Sequence, residues 1–260
     1  MTQHHPTALI DSAAQLDADV AVGPYAIIEA GTVIGRGTVI DGHAQVLRGV
    51  TLGENCRVGH GAVLGGDPQS LAFDPRIASG VCIGNHNRFR EHVTVHRSLL
   101  EGQATRIGDH NFFMAGSHVG HDAEIGSHNV LANAVLLAGH VRLGNRAFLG
   151  GGSVYHQFIR IGDFAMIQGN AGFSKDVAPY VIGSGINLIH GLNTVGLRRA
   201  GFDAATRQEI KSAFDLLFRS GKNFPQALAE ARQQPWRPEA ETLIAFVEAG
   251  SAKGVCPLAP

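Results

Sequence analysis

The sequence predicts a three-sided, all-β prism of six-residue repeats, followed by a small helical domain. Three observations carry that expectation. Aliphatic residues recur at every sixth position over most of the chain, glycine crowds the position after them, and beyond residue 190 the period becomes helical. A period of six cannot be helical, because 3.6-residue turns would scatter the aliphatics around the surface.

Composition narrows the class. A chain of 260 residues is long enough to bury a large core as one main domain with an appendage. Thirty-four glycines against 7% aromatics would fit disorder, but valine, isoleucine and leucine are abundant and evenly spaced, which points to repeats instead. A net charge of -1 offers no electrostatic case for a nucleic-acid partner. Cys56, Cys82 and Cys256 are scattered and odd in number. That pattern fits a reducing compartment and argues against a disulfide framework or a cysteine metal site. The opening MTQHHPTALIDSAAQ has no cationic flank and no apolar run, unlike a signal peptide. No segment approaches the ~18 apolar residues of a membrane span. The expectation is a soluble, cytoplasmic protein with no membrane span.

The elements follow in order. From Ile10, steps of six land on Leu16, Val22, Ile28, Ile34, Ile40, Val46, Leu52, Val58 and Leu64. The pattern breaks at GGDPQSLAFDPR, restarts at Ile77, runs through Ile83, Phe89 and Val95, and misses at Glu101. It resumes at Ile107 and continues without a gap through Phe113, Val119, Ile125, Leu131, Leu137, Leu143, Leu149, Tyr155, Ile161 and Ile167 to Phe173. Glycine often follows the aliphatic, and the position four after it is usually small, as at Ala26, Thr32, Ala62 and Ala123. Short strands with aliphatic and small residues inward, and glycine relieving the corners, satisfy this pattern. It resembles the left-handed parallel β-helix with three hexads per coil. Spacing alone gives only the three-sided coil; the hand comes from the resemblance. About nine coils are expected, each ~4.8 Å above the last. Residues 65–76 and 96–106 are expected to protrude as loops, the more functional parts of such a scaffold. Past Phe173 the hexads fade. Asp203 is a candidate N-cap, and Ile210, Phe214, Leu217 and Phe218 keep one helical face. FPQALAEARQQ and RPEAETLIAFVEAG read as two more helices. The prism is thus placed at 1–190 and the helical domain at 191–260.

Residues eighteen apart stack on one face, as Val119, Leu137 and Tyr155 do. His121, His140 and His156 follow these three by two, three and one positions. They therefore emerge near one edge on successive coils, with His118 just before and Asp122 just after His121. The chain has fourteen histidines, and most read as structural. His86, His92, His110 and His128 fall three after an aliphatic, in solvated corners. His43 and His60 read as surface, and His4 and His5 as a disordered terminus. The 118/121/140/156 cluster is different, since imidazoles stacked without a purpose would repel once protonated. An imidazole near neutrality can take a proton from a hydroxyl, and an adjacent carboxylate fixes its tautomer. His121 is the expected general base and Asp122 its orienter. No G-x-S-x-G nucleophile motif is present, so direct transfer is favoured over a covalent acyl-enzyme. Zinc held by three histidines, as in the carbonic anhydrases of similar architecture, stays open as another class. The separation of His118, His121 and His140 does not match that group's ligand spacing.

NRFREHVTVHR, GSHVGHD, LANAVLLAGHVRLG, GGGSVYHQFIRIG, APYVIG and GLRRAGF, in this order and spacing, resemble the acyl-[acyl-carrier-protein]–UDP-N-acetylglucosamine O-acyltransferases of lipid A synthesis. The resemblance spans essentially the whole chain. It implies a homotrimer with active sites between neighbouring prisms, no cofactor and no metal. The implied reaction moves a 3-hydroxyacyl chain from acyl carrier protein to the sugar 3-hydroxyl. The base histidine of H-x-x-H-D falls on His121. His118, His140, His156 and Gln157 would contact substrate, and the Gly139 N–H would receive the oxyanion. Gly169 matches the position that limits acyl-chain length, and glycine there leaves room for a longer chain. Arg199 matches a cation expected near phosphate or carrier protein.

Two departures stand out. Where the family carries an aspartate and a lysine two residues apart near the sugar nucleotide, this chain has Ser70 and Ala72. The basic pair before the helical domain reads Arg199-Ala200. The acceptor is therefore open among UDP-N-acetylglucosamine, its 3-amino analogue and another nucleotide sugar of a specialised paralogue.

Overall fold

The computed structural model describes residues 3–260. Three sheets of eleven, nine and eight strands wrap one axis, and apart from a terminal antiparallel hairpin each strand pairs in parallel with the one a full coil above it. We call these faces 1, 2 and 3. Typical strands are two residues long, one side chain outward and one inward, as in Val33–Ile34 and Leu136–Leu137. Register follows the eighteen-residue step: His118 pairs with Leu136, and Leu136 with Val154. The inward aliphatics of the hexads, from Val22 and Ile28 to Ile167 and Phe173, are buried almost completely. Each such side chain contributes roughly 1.5–3 kcal/mol by leaving water.

Between strands the chain turns through corners whose third residue has positive φ. These include Asp19, Tyr25, His43, His86, His110, Asp122, His128, His140 and Phe158, with φ between 57° and 69°. A non-glycine residue in this region costs about 1 kcal/mol or more. Stacking offsets part of it. His86, His110 and His128 form a ladder with ring centroids 4.6 and 4.8 Å apart, and Tyr25, His43, His60 and His92 form a second. The histidines read as corner or surface residues are therefore corner residues in ladders. His4 departs from expectation, lying in strand Gln3–His4 and pairing with Val22.

One exception to the small-residue rule has a structural reason. Asn87, Asn111 and Asn129 occupy that position on successive coils and are buried. The Asn129 Oδ1 accepts from the Ala147 N–H at 2.8 Å, and its Nδ2 donates to the Gly144 carbonyl at 2.9 Å. Such a ladder closes backbone groups that the turns leave open.

The two loops differ from expectation at their edges. Strand Val63–Gly66 runs into the first loop, and strand Gly80–Ile83 resumes the coil, so the loop is 67–79. Ile77 lies within it rather than on a strand, and its carbonyl accepts from the Arg97 guanidinium at 2.5 Å. The second loop is 97–103, because four-residue strands Gly80–Ile83 and Ala104–Ile107 pair along their whole length.

Face 1 ends in an antiparallel hairpin, Val181–Ser184 with Leu188–Leu192. Four helices follow: α1 (Thr194–Arg199), α2 (Ala204–Phe218), α3 (Phe224–Ala231) and α4 (Pro238–Ala249). Asp203 caps α2, accepting from the Thr206 N–H, and Ile210, Phe214 and Leu217 are its buried face. The chain then returns to the prism. Val255 and Leu258 bridge to Asp176 and Ile189, while Arg160 pairs with the fully buried Asp176 at 2.7 Å and lies over Phe246 of α4. No described helix is long and apolar enough to cross a membrane. Asn129→Ala would orphan one buried donor and one acceptor. Its expected cost is about 2–4 kcal/mol, read as a lowered urea midpoint.

Candidate active site

The cluster sits at the corner between faces 2 and 3. His118 ends outward on face 2 within strand His118–Val119, and the corner then carries Gly120, His121 and Asp122 before strand Glu124–Ile125. One coil up the same positions hold Ala138, Gly139 and His140, and one further up His156, Gln157 and Phe158. Asp122, His140 and Phe158 therefore share the positive-φ column that elsewhere carries structural ladders.

His121 Nδ1 lies 2.8 Å from Asp122 Oδ2, and both side chains are nearly buried. His140 crosses the His121 ring edge-on at 5.1 Å and stacks on Phe158 at 4.4 Å. A Cβ on Gly139 would stand 2.5 Å from His121 Cε1, so only glycine lets the imidazole lie over that backbone. No described residue accepts a hydrogen bond from the Gly139 N–H. It is an open donor beside the ring.

The carboxylate is held on several sides. The Ser98 hydroxyl donates to Asp122 Oδ1, the Leu99 N–H to Oδ2 at 3.1 Å, and Thr105 Oγ1 accepts from the Asp122 N–H at 2.8 Å. Desolvation works to raise the Asp122 pKa, but hydrogen bonds from Ser98, His121 and Leu99, with His140 nearby, hold it below the ordinary value. An ionised carboxylate only accepts, so the proton sits on His121 Nδ1 and Nε2 carries the lone pair.

His118 and His140 are held towards the neutral form. Desolvation, then the proximity of His96 and His121, pushes the His118 pKa down to about 4, and its Nδ1 meets Thr94 Oγ1 at 2.8 Å. Desolvation likewise lowers His140, against the pull of Asp122. The expected residues divide into two groups. His118, His121, Asp122, Gly139 and His140 converge, with His156 and Gln157 one coil further on. Gly169 lies at the other edge of face 2, after strand Met166–Ile167. Ser70 sits in loop 67–79, its N–H bonded to the Pro68 carbonyl. Arg199 is exposed in the last turn of α1. No recorded contact links these three to the imidazoles within one chain.

Four residues that the sequence reading passed over join the site. His96 meets His118 edge-on at 4.6 Å. Ser98 and Thr105 hold Asp122. Lys253 approaches from the C-terminal segment, with Nζ 3.5 Å from His156 Nδ1 and over the Phe158 ring at 5.9 Å. His96 carried a signal in TVHR, but the loop at 97–103 breaks the eighteen-residue count that would have aligned it. A cleft of ≈ 660 Å³ opens beside the corner, lined by Leu100, Asp122, His140, Arg142, Phe158 and Arg160 among others. A larger groove of ≈ 1020 Å³ follows the lower coils, from Leu9 and Ile27 to Asp67 and Arg97. Asp122 and His140 border the smaller one. Ligand atoms of His121, Asp122 and His140 all fall within 4.8 Å of one another, close enough for a metal ion. His118 and His156 are outside that set, which joins two imidazoles and a carboxylate rather than three histidines.

A three-sided parallel prism of six-residue repeats is the architecture of the hexapeptide-repeat transferases. The profile described as bacterial transferase hexapeptide (six repeats) matches residues 31–66 and 104–139. Domain 2 of UDP N-acetylglucosamine O-acyltransferase matches residues 176–256. The acyl-[acyl-carrier-protein]–UDP-N-acetylglucosamine O-acyltransferase of a Sulfurihydrogenibium species is 51% identical over 260 residues, covering 99% of this chain and 95% of that protein. Its counterpart in Thermodesulfovibrio yellowstonii is 41% identical over 259 residues, covering 98% and 100%. Solved UDP-N-acetylglucosamine acyltransferases from Campylobacter jejuni and Francisella novicida superpose with TM-scores of 0.92 at 33% and 31% identity. They cover 99% of this chain and 100% and 95% of theirs. The chain belongs to the acyl-[acyl-carrier-protein]–UDP-N-acetylglucosamine O-acyltransferase family, and its prism is the left-handed parallel β-helix. The zinc anhydrase alternative falls with that assignment.

The depressed His118 value gives a pH dependence with a definite sign. Unfolded, the imidazole takes a proton near its ordinary value of 6.5; folded, it resists until about 4. The unfolded state therefore binds more protons between those values, and His118's contribution to stability, complete above 6.5, declines as pH falls towards 4. By NMR, the His118 ring is expected to stay neutral at pH 5, and His118→Gln is expected to flatten the fall of the urea midpoint over that window.

Proposed function

We propose that this enzyme transfers a 3-hydroxyacyl chain from acyl carrier protein to the 3-hydroxyl of UDP-N-acetylglucosamine, the first step of lipid A synthesis, with His121 as general base. One observation carries the reading: a His121 imidazole oriented by an ionised, hydrogen-bonded Asp122 lies against the unpaired N–H of Gly139. Nε2 takes the proton from the sugar hydroxyl as its oxygen attacks the thioester carbon. The carbonyl oxygen becomes an oxyanion, and the Gly139 N–H is positioned as its donor. Collapse expels the carrier thiolate, which takes the proton back from the imidazolium. Asp122 stays ionised throughout and stabilises that imidazolium. The Ser98 hydroxyl faces the carboxylate rather than the imidazole, which favours direct transfer over an acyl-enzyme.

In this reading His118, His140, His156 and Gln157 bind substrate. The half-exposed Leu136 and Val154 of face 2 lie above His118 and offer the acyl chain an apolar track towards Gly169. Apolar side chains such as Val39 and Phe148 also stand outward and exposed on face 1, as a homotrimer in the cytoplasm would use them. Ser70 faces the nucleotide sugar and Arg199 a phosphate or the carrier protein. With Ser70 and Ala72 uncharged, the 3-amino analogue is the acceptor to set against UDP-N-acetylglucosamine.

Mass spectrometry of graded 3-hydroxyacyl carrier proteins against a panel of UDP-sugars tests the reaction. A single acyl addition to UDP-N-acetylglucosamine is expected, and no transfer to any member would overturn the proposal. His121→Ala should lower kcat by at least ~10²–10⁴ while light scattering still reports a trimer; near-full activity would sink the base assignment. A Cβ at Gly169 would already stand 3.0 Å from the Gly151 carbonyl oxygen. Gly169→Met is therefore expected to shift the preferred donor towards a shorter chain.

A further inference from the structure

The residue after buried Arg97 makes the hydrogen bond nearest the reaction centre that no known role explains. Ser98 is fully buried. Its oxygen accepts from the Leu100 N–H at 2.9 Å, and its hydroxyl donates to Asp122 Oδ1, the Leu100 carbonyl being a more distant acceptor at 3.5 Å. Its backbone is fixed as well, since the Ser79 hydroxyl donates to the Ser98 carbonyl at 2.6 Å. Arg97 secures the surroundings. The residue is 1% exposed, and its guanidinium donates to Asp67 Oδ1 at 2.8 Å, to the Ile77 carbonyl at 2.5 Å, to the Pro75 carbonyl at 3.0 Å and to Ser79 Oγ at 3.2 Å. It also covers the Phe73 ring at 4.8 Å. A continuous path thus runs from loop 67–79 through Arg97, Ser79 and Ser98 to Asp122 and the His121 ring.

We infer that Ser98 is a positioning residue for the reaction, holding the Asp122 carboxylate in the plane and charge state that orient His121, and that loop 67–79 is anchored to the same point. The inference rests on the proposed roles of His121 and Asp122. Alone, the Asp122 carboxylate could rotate about its side-chain bonds and follow His140 as readily as His121, since His140 Nε2 lies 3.8 Å from Oδ2. Ser98 on Oδ1 and the Leu99 N–H on Oδ2 remove that freedom. A hydrogen bond to the anion also keeps the carboxylate ionised, so the proton stays on His121 Nδ1.

Steady-state kinetics across pH on Ser98→Ala, Ser98→Cys and Ser98→Thr test this in the full-length protein. Ser98→Ala is expected to lower kcat roughly 10- to 100-fold, the equivalent of one hydrogen bond to a charged group. KM for both substrates should change by less than about threefold, and the acid limb of the kcat profile should move to higher pH as Asp122 becomes easier to protonate. Ser98→Thr should restore most of the rate. Ser98→Cys, close in shape with a weaker donor, should fall between and serves if the alanine variant does not fold. In an Asp122→Asn background the alanine change should add less than about twofold, because its effect acts through that carboxylate. Ser98→Ala, or Ser98→Cys in its place, with parental kcat and pH profile would overturn the inference, as would an effect on KM alone. If Asp122→Asn itself keeps near-full activity, the assignment of Asp122 is what has failed. If Asp122→Asn is inactive and Ser98 variants are unaffected, only the positioning role falls.

Discussion

The hydrogen-bonded step from one coil to the next is the constraint on which the molecule depends. The His140 N–H donates to the His121 carbonyl at 2.9 Å and the Phe158 N–H to the Gly139 carbonyl at 3.2 Å. Parallel pairing stacks equivalent residues ~4.8 Å apart, and the buried aliphatic at every sixth position fixes the phase. A slip of one residue would turn the core outward on all three faces. The site inherits its spacing from this backbone. His121 and His140 stand one coil apart because Val119 and Leu137 do.

The same corner geometry serves two purposes. His86, His110 and His128 occupy positive-φ corners and stack on one another. Asp122, His140 and Phe158 occupy such corners one edge away. Their surroundings separate the two. The loop at 97–103 brings Ser98 and Leu99 to Asp122, and the C-terminal segment brings Lys253 to His156 and Phe158. An insertion and a returning terminus convert one stretch of a repetitive edge into a place where charge is controlled.

That control has a consistent direction. Burial works against charge at Asp122, His118 and His140, and of these three hydrogen bonds overcome it only at Asp122. His118 and His140 are held neutral, so neither competes with His121 for the carboxylate as a cation. The arrangement sets one hydrogen-bonded anion beside one oriented imidazole, with two further imidazoles held towards neutrality, a setting suited to moving a proton.

Much of this was legible in the chain as written. Six-residue spacing reports the coil directly, because every repeat makes the same local choice of inward aliphatic and turn. From it the neighbours of His121 on the coils above could be counted, and Asp122 is adjacent in sequence. The loop edges read as 65–76 and 96–106 fall instead at 67–79 and 97–103, because strands extend into the insertions and an aliphatic residue of the loop, Ile77, falls where a further hexad would place one. Ser98, His96 and Lys253 stayed hidden for a related reason. Ser98 meets Asp122 across 24 positions and Lys253 meets His156 across 97, separations set by an insertion and by the return of the terminus. A periodic sequence declares contacts that recur with its period, whereas contacts made where the period is interrupted exist only once the chain has closed on itself.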